Sequence, residues 1–204
     1  KIPTETFMKL SEEKKNKILV AAKKEFTRVP FEQTSIKNIV EDAEIARGSF
    51  YQYFTSKEDL LQYMMKDDKE KLDNFIKDKL KETHGDVFEA YLAIYDFITQ
   101  KMIEDKDLEF YKRLIENAKV IEDESAMLRI PKHLKGPFQQ EEFLKLIDVS
   151  KLKIQNEEEL HIVIQMLYLI TRKALVNNFK YQSTKKARKE YLKMIDYLKK
   201  GVLK

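Results

Sequence analysis

The chain has 204 residues, 43% hydrophobic and 36% charged, with 39 basic against 35 acidic side chains and a net charge of +4. That apolar share supports a core, and the near balance of charge excludes disorder driven by self-repulsion. Four Gly, four Pro and no Cys argue against an all-β fold and exclude disulfides, thiol catalysis, zinc–thiolate sites and cysteine-held iron–sulfur clusters.

Read in chain order, a first helix starts after Ser11, an N-cap followed by Glu12 and Glu13, which suit the positive end of the helix dipole. Ile18, Ala22 and Phe26 share one face, and the helix ends near Val29 because Pro30 disfavours helical geometry in the residue before it. A second, short helix starts at Thr34 or Ser35, either of which can cap it, and carries Ile36, Ile39, Val40 and Ala43 at helical spacing. A third begins about Ala46 and holds Phe50 and Phe54 at i, i+4. A fourth opens at Ser56 with Asp59 three residues on, a capping box with Asp in place of Glu. No Gly or Pro interrupts it until Gly85, so it can run some 25 residues, about 37 Å, out of one domain and into another.

After Gly85 a new apolar stripe runs through Val87, Phe88, Tyr91, Ile94, Tyr95, Ile98 and Met102. A further helix covers roughly residues 107–118. Residues 128–137 hold two of the prolines and read as a loop or broken helix, residues 138–147 as a short helix and 148–156 as a turn. Residues 157–179 form a long helix that is apolar around most of its girth, which calls for cover on all sides and points to a subunit interface. The last helix, about 184–203, has one apolar face. Residues 180–204 hold nine basic and two acidic side chains. Such a tail invites a nucleic-acid reading, but its alternation with Ala187, Tyr191, Met194, Ile195 and Leu198 reads better as the solvated face of an amphipathic helix.

No run reaches the roughly 18 uncharged apolar residues of a membrane span. Residues 1–5 lack the apolar core of a signal peptide. A soluble, cytoplasmic protein with no membrane partner is expected.

Residues 35–54 are two short helices joined by Ala43-Glu44-Ile45, which is helix-turn-helix spacing. With Phe50 and Phe54 turned inward, Arg47, Gly48, Ser49, Tyr51, Gln52 and Tyr53 remain on the outer side. Arg can bond guanine edges, Gln adenine and Ser either, while Tyr and Ser hydroxyls suit phosphates. Gly48 allows close backbone approach. A plain surface helix would look much the same, and composition alone does not choose between the two.

The stretch Thr34-Ser35-Ile36-x-x-Ile39-Val40-x-x-Ala43-x-Ile45-Ala46-Arg47-Gly48-Ser49-Phe50-Tyr51-Gln52-Tyr53-Phe54-x-Ser56-Lys57-Glu58-x-Leu60-Leu61 resembles the N-terminal domain of the tetracycline-repressor (TetR) family. The dense match covers about residues 11–65; beyond residue 70 the resemblance is architectural. It implies an all-α protein with a helix-turn-helix DNA-binding domain over residues 1–55, a connecting helix over about 56–81, and a helical ligand-binding and dimerisation domain over 82–204. It further implies a homodimer that binds a palindromic double-stranded DNA operator and is released by a small molecule. Carried over by position, Thr34, Ser35 and Lys37 would touch phosphates. Arg47, Gly48, Ser49 and Gln52 would face bases, and Tyr51, Tyr53 and Lys57 would clamp the backbone. The last two helices, about 157–179 and 184–203, would pair with their symmetry mates.

Two departures stand out. The family usually has Gly in the turn, where this chain has Glu44, so either the turn differs or Glu44 carries a left-handed conformation costing about 1 kcal/mol. The family also often has Gly before the second helix, where this chain has Pro30-Phe31, so Phe31 is expected to pack on the small core.

Candidates to line an effector site in the C-terminal domain are Phe88, Tyr91, Tyr95, Met102, Phe110, Tyr111, Phe138, Phe143, Met166 and Tyr168, with Arg113, Glu116, Asn117, Arg172 and Asn177 as unranked polar groups to orient a ligand. Aromatic stripes at helical spacing are also what an ordinary core looks like. The effector is expected to be largely apolar or aromatic. A helical adaptor of the same fold, controlled by a protein partner, is the alternative: a closed cavity favours the first reading and a filled core with an exposed apolar patch the second. An enzyme is not expected. Glu158-x-x-His161 is half of a helical di-iron signature, but neither His84 nor His133 supplies the other half. No nucleotide-binding or nucleophile-elbow motif occurs, so no metal and no cofactor are called for.

Overall fold

A computed structural model describes residues 3–104, 108–117 and 141–204. Among these the chain is all-helical, with no strand and one isolated antiparallel bridge between Leu152 and Leu203. In order, the helices are α1 (Glu5–Met8), α2 (Glu12–Arg28), α3 (Ile36–Asp42), α4 (Arg47–Tyr53), α5 (Lys57–Glu82), α6 (Val87–Glu104), α7 (Leu108–Asn117), α8 (Glu141–Leu144), α9 (Glu157–Tyr181) and α10 (Thr184–Val202). Short 3-10 turns lie at Phe31–Gln33 and Val149–Lys151. They form two compact units, residues 3–69 with 109–117, and residues 70–104 and 108 with 141–204. The expected break at 128–137 lies outside the described residues, as does the start of the helix expected over 138–147.

In the first unit the local signals act as expected. Ser11 caps α2, its hydroxyl accepting the Lys14 N–H at 3.3 Å. Val29 is extended ahead of Pro30. The core gathers Phe7, Ile18, Phe26, Ile39, Phe50 and Phe54, with Phe31 packed beside it at 5.5 Å from the Phe26 ring. Glu44 does carry the left-handed turn, at φ 56°. The capping box at α5 is displaced by one residue: Ser56 accepts the Asp59 N–H, but the Asp59 carboxylate accepts from Thr55, through both its N–H and its hydroxyl. Helix α1, ahead of Ser11, was not signalled by any apolar period, being a single turn.

In the second unit α6, α9 and α10 pack around Phe88, Tyr91, Tyr95, Leu160, Leu167, Tyr191 and Ile195. Polar contacts stitch this core. Tyr95 Oη donates to Asn178 Oδ1 at 2.9 Å, and Asn178 Nδ2 donates to Thr99 Oγ1 at 3.1 Å. Tyr191 Oη lies 2.6 Å from Thr171 Oγ1 and 3.2 Å from the Tyr91 carbonyl. Burial pushes the phenols of Tyr91, Tyr95 and Tyr191 up from their ordinary range, so they stay neutral donors. Asn156 caps α9, its side chain accepting the Glu159 N–H at 2.9 Å, and Ser183 caps α10.

Candidate nucleic-acid interface

The site grows from the way three short segments meet. The 3-10 turn Phe31–Gln33 delivers the chain to α3, the turn at Glu44 swings it into α4, and Phe54 returns it to α5. The N-terminus of α3 is capped from outside. Ser35 makes no side-chain cap, and Thr34 spends its hydroxyl on the Phe31 carbonyl at 2.6 Å. Instead, Glu25 of α2 reaches across: its Oε1 accepts the Ser35 N–H at 2.8 Å and the Asn38 Nδ2 at 3.1 Å. Arg28 donates to both its oxygens, at 2.7 and 2.8 Å. These hydrogen bonds, Arg28 foremost, hold the Glu25 carboxyl below the usual carboxylate range against the opposing effect of burial. The sequence did carry a signal for this residue. Glu25 falls on the Ile18–Ala22–Phe26 face of α2, an acidic group on an apolar stripe, with Arg28 three residues on.

Six of the ten expected DNA contacts line one concave surface: Thr34, Ser35, Lys37, Arg47, Tyr51 and Lys57. Ile36, Thr55, Ser56 and Glu58, not among the expected contacts, complete it. Along α4, Arg47, Gly48, Tyr51 and Gln52 are exposed and recur at i, i+1, i+4 and i+5, so they share one solvent face. Ser49 is half-buried. Tyr53 is half-buried too, its ring edge-on to Phe7 at 5.9 Å. A Cβ added at Gly48 would meet nothing within 4 Å, so packing within the chain makes no demand for glycine there. In a helix a glycine costs about 1 kcal/mol relative to Ala. Lys37 is exposed and only loosely paired with Glu41, at 3.7 Å.

Lys57 turns its ammonium back onto its own chain. Its Nζ donates to the carbonyls of Phe31, Glu32 and Thr34 at 2.7, 3.1 and 3.2 Å and lies 4.9 Å from the Phe31 ring centroid. An ammonium has three donors, and all three are engaged.

The family model described as "Tetracyclin repressor-like, C-terminal domain" matches residues 86–202. The model for "Bacterial regulatory proteins, tetR family" matches residues 18–64. The chain belongs to the TetR family. It is a TetR-family transcriptional regulator built on a DNA-binding helix-turn-helix domain and a helical C-terminal domain. No curated protein is similar to it at a significant level. Among solved structures, a TetR family transcriptional regulator from Chloroflexus aurantiacus is 21% identical, with each chain wholly covered and a TM-score of 0.54. SmeT, the repressor of the Stenotrophomonas maltophilia multidrug efflux pump SmeDEF, is 15% identical over 97% of this chain and 93% of its own, at 0.58. NalD, the secondary repressor of the MexAB-OprM multidrug efflux pump in Pseudomonas aeruginosa, is 16% identical over 95% and 97%, also at 0.58. At these identities the likeness is one of fold.

The expected effector-lining residues of this TetR-family chain do not fall together. Phe88, Tyr91, Tyr95, Met102 and Phe143 are buried in the second unit, with Met166, Tyr168 and Arg172 half-buried there. Phe110 and Tyr111, expected with the C-terminal domain, pack in the first unit. Phe110 belongs to its apolar core, and Tyr111 Oη donates to Asp68 at 2.7 Å. The sequence pattern cannot show which of two cores an amphipathic helix serves. Phe138 lies outside the described residues. Among the described residues, Arg172 Nε is buried without a hydrogen-bond partner, no group of acidic and histidine side chains is placed to hold a metal, and no helix is long and apolar enough to cross a membrane.

Proposed function

We propose that this regulator is a repressor that binds a palindromic operator as a homodimer and is released when a small molecule enters the C-terminal domain. The observation that carries the reading is the solvent face of α4. Arg47, Gly48, Tyr51 and Gln52 stand clear on one side of a helix whose other side, Phe50, is fully buried. Outward side chains of these types suit base edges and phosphate oxygens, which supports the reading. Arg47, Gly48, Ser49 and Gln52 are the base-reading set, and Lys37, Ser35 and Tyr51 reach phosphates. Thr34 and Lys57, whose polar groups are engaged within the chain, shape the approach to α3.

Homodimer formation draws support from α9. Ile162 and Leu169 are 49% and 43% exposed on it, seven residues apart and thus on one face. Pairing of α9 and α10 with their symmetry mates would cover them. Such a two-fold interface would hold two recognition helices about 34–36 Å apart or somewhat wider. The effector reading draws support from the orphaned Arg172 Nε, a buried donor that an acceptor on a largely apolar or aromatic ligand would satisfy. A ligand that binds better to a wide-spaced state shifts the population from the DNA-competent one. Such a repressor works on DNA in the cytoplasm.

The alternative, control by a protein partner, draws on the internal hydrogen bonds of Tyr95 and Tyr191, which mark that part of the second unit as core. Selection of genomic fragments by the purified protein at fixed salt, about 0.15 M because phosphate contacts make affinity salt-dependent, tests the operator reading. Recovery of one inverted repeat is expected. Recovery of no sequence by a folded, ligand-free sample would sink it.

A further inference from the structure

The segment ahead of α2 makes contacts that its sequence gives no hint of. Helix α4 is seven residues long, and its last carbonyls have no partner within the helix. The Phe50 carbonyl takes the Phe54 N–H at 2.9 Å. The carbonyls of Gln52 and Tyr53 are served from the segment ahead of α2. Thr4 Oγ1 donates to the Gln52 carbonyl at 2.6 Å, and the Thr4 N–H donates to the Tyr53 carbonyl at 3.1 Å. The same Thr4 caps α1: its hydroxyl accepts the Phe7 N–H at 3.4 Å, and its carbonyl accepts the Met8 N–H at 3.2 Å. One residue thus closes the C-terminus of α4 and the N-terminus of α1.

Phe7 locks this joint. It is fully buried, with its ring 4.8 Å from Phe54, 5.2 Å from Tyr63 and 5.9 Å from Tyr53. Rings at these separations and tilts attract beyond their burial alone. The single turn α1 is too short to be stable by itself, so it exists as a clasp on the end of α4. Helix α4 in turn has only Phe50 fully buried within it, so its far end is held by the buried Phe54 just past it together with what the clasp supplies.

We propose that residues 3–10 are a strap that fixes the C-terminal turn of the recognition helix, with Thr4 and Phe7 as positioning residues for Gln52. This rests on the DNA-reading role proposed above. Arg47 opens α4 and Gln52 lies near its end, so the strap governs the reading of the base pairs under Gln52 and leaves those under Arg47 alone.

The test uses the full chain with T4V, which keeps the shape of the side chain and loses the hydroxyl, and T4S, which restores it. Amide exchange without DNA should quicken about tenfold in T4V at residues 52–54, and at Phe7, whose N–H the Thr4 hydroxyl accepts, and not along the rest of α4. Preference for the operator base pairs that depend on Gln52, assigned with Q52A, should fall about tenfold. Preference at the pairs that depend on Arg47 should hold, and T4S should recover both readouts. Unchanged exchange at α4 would overturn the strap. So would a loss in T4V spread equally over all sequences and tracking a fall in Tm, since that describes a residue of general stability. The exchange measurement needs no DNA, so it upholds or overturns the strap even if the wild type selects no sequence, a result that would instead sink the operator reading.

Discussion

Glu25 accepts the backbone N–H of Ser35 at 2.8 Å across ten residues of chain, and so caps a helix to which it does not belong. The bond joins α2 to the start of α3, where the proposed phosphate contacts Ser35 and Lys37 sit. A carboxylate buried to 3% exposure is tolerated there because Arg28 donates to both oxygens while Ser35 and Asn38 share Oε1.

Glu25→Gln should therefore destabilise the chain by about 1–3 kcal/mol in urea unfolding. The folded-state carboxyl lies below its unfolded value. Its stabilisation is complete above the usual carboxylate range and is lost as pH falls through the depressed value. Wild type should lose this increment on acidification and Glu25→Gln should not. Parallel pH profiles for the two would refute the assignment.

Arg47→Ala should cost about 1–3 kcal/mol on the operator and relax preference at one base pair. Tyr51→Phe should weaken all sequences alike. A binding-site selection with each variant separates the two roles, and a changed sequence preference in Tyr51→Phe would contradict a phosphate contact.

Lys57→Met should weaken operator binding without changing how steeply affinity falls with salt, because all three donors of Lys57 are engaged by carbonyls. Loss of a phosphate contact would instead lower the salt slope by about one. Titrations across a salt series distinguish these.

Leu169→Glu should turn a dimer into a monomer in sedimentation at micromolar concentration, since it sets a charge on the exposed apolar face of α9. A dimer that survives both this and Ile162→Glu would place the interface elsewhere.

Gly85→Ala should destabilise the second unit well beyond the roughly 1–2 kcal/mol that a left-handed residue costs. Gly85 has φ 79°, and an added Cβ would lie 2.4 Å from the Asp148 N and 2.8 Å from the Leu146 carbonyl, both backbone atoms that cannot swing away. Thermal unfolding measures it; an unchanged Tm would show that the loop at 146–148 yields freely.

The amino-acid sequence by itself determined what is local or periodic. Ser11 capping α2, the stop at Val29 before Pro30, the inward Phe50 and Phe54, and the outward Arg47, Tyr51 and Gln52 all follow from spacing and cap chemistry within a few residues. Glu44 was legible as a choice between a changed turn and a strained residue, and φ 56° resolved it. What only the tertiary structure decided are the partners far apart in the chain. Nothing in Thr4 indicates the carbonyl of Gln52, 48 residues away. Nothing in Lys57 shows that its ammonium meets the carbonyls of Phe31, Glu32 and Thr34. Phe110 and Tyr111 carry the same apolar pattern whichever unit they serve. Periodicity tells which face of a helix is buried but not against what, because a hydrogen bond or an apolar contact depends on position in space, and space is set by how all the helices settle together.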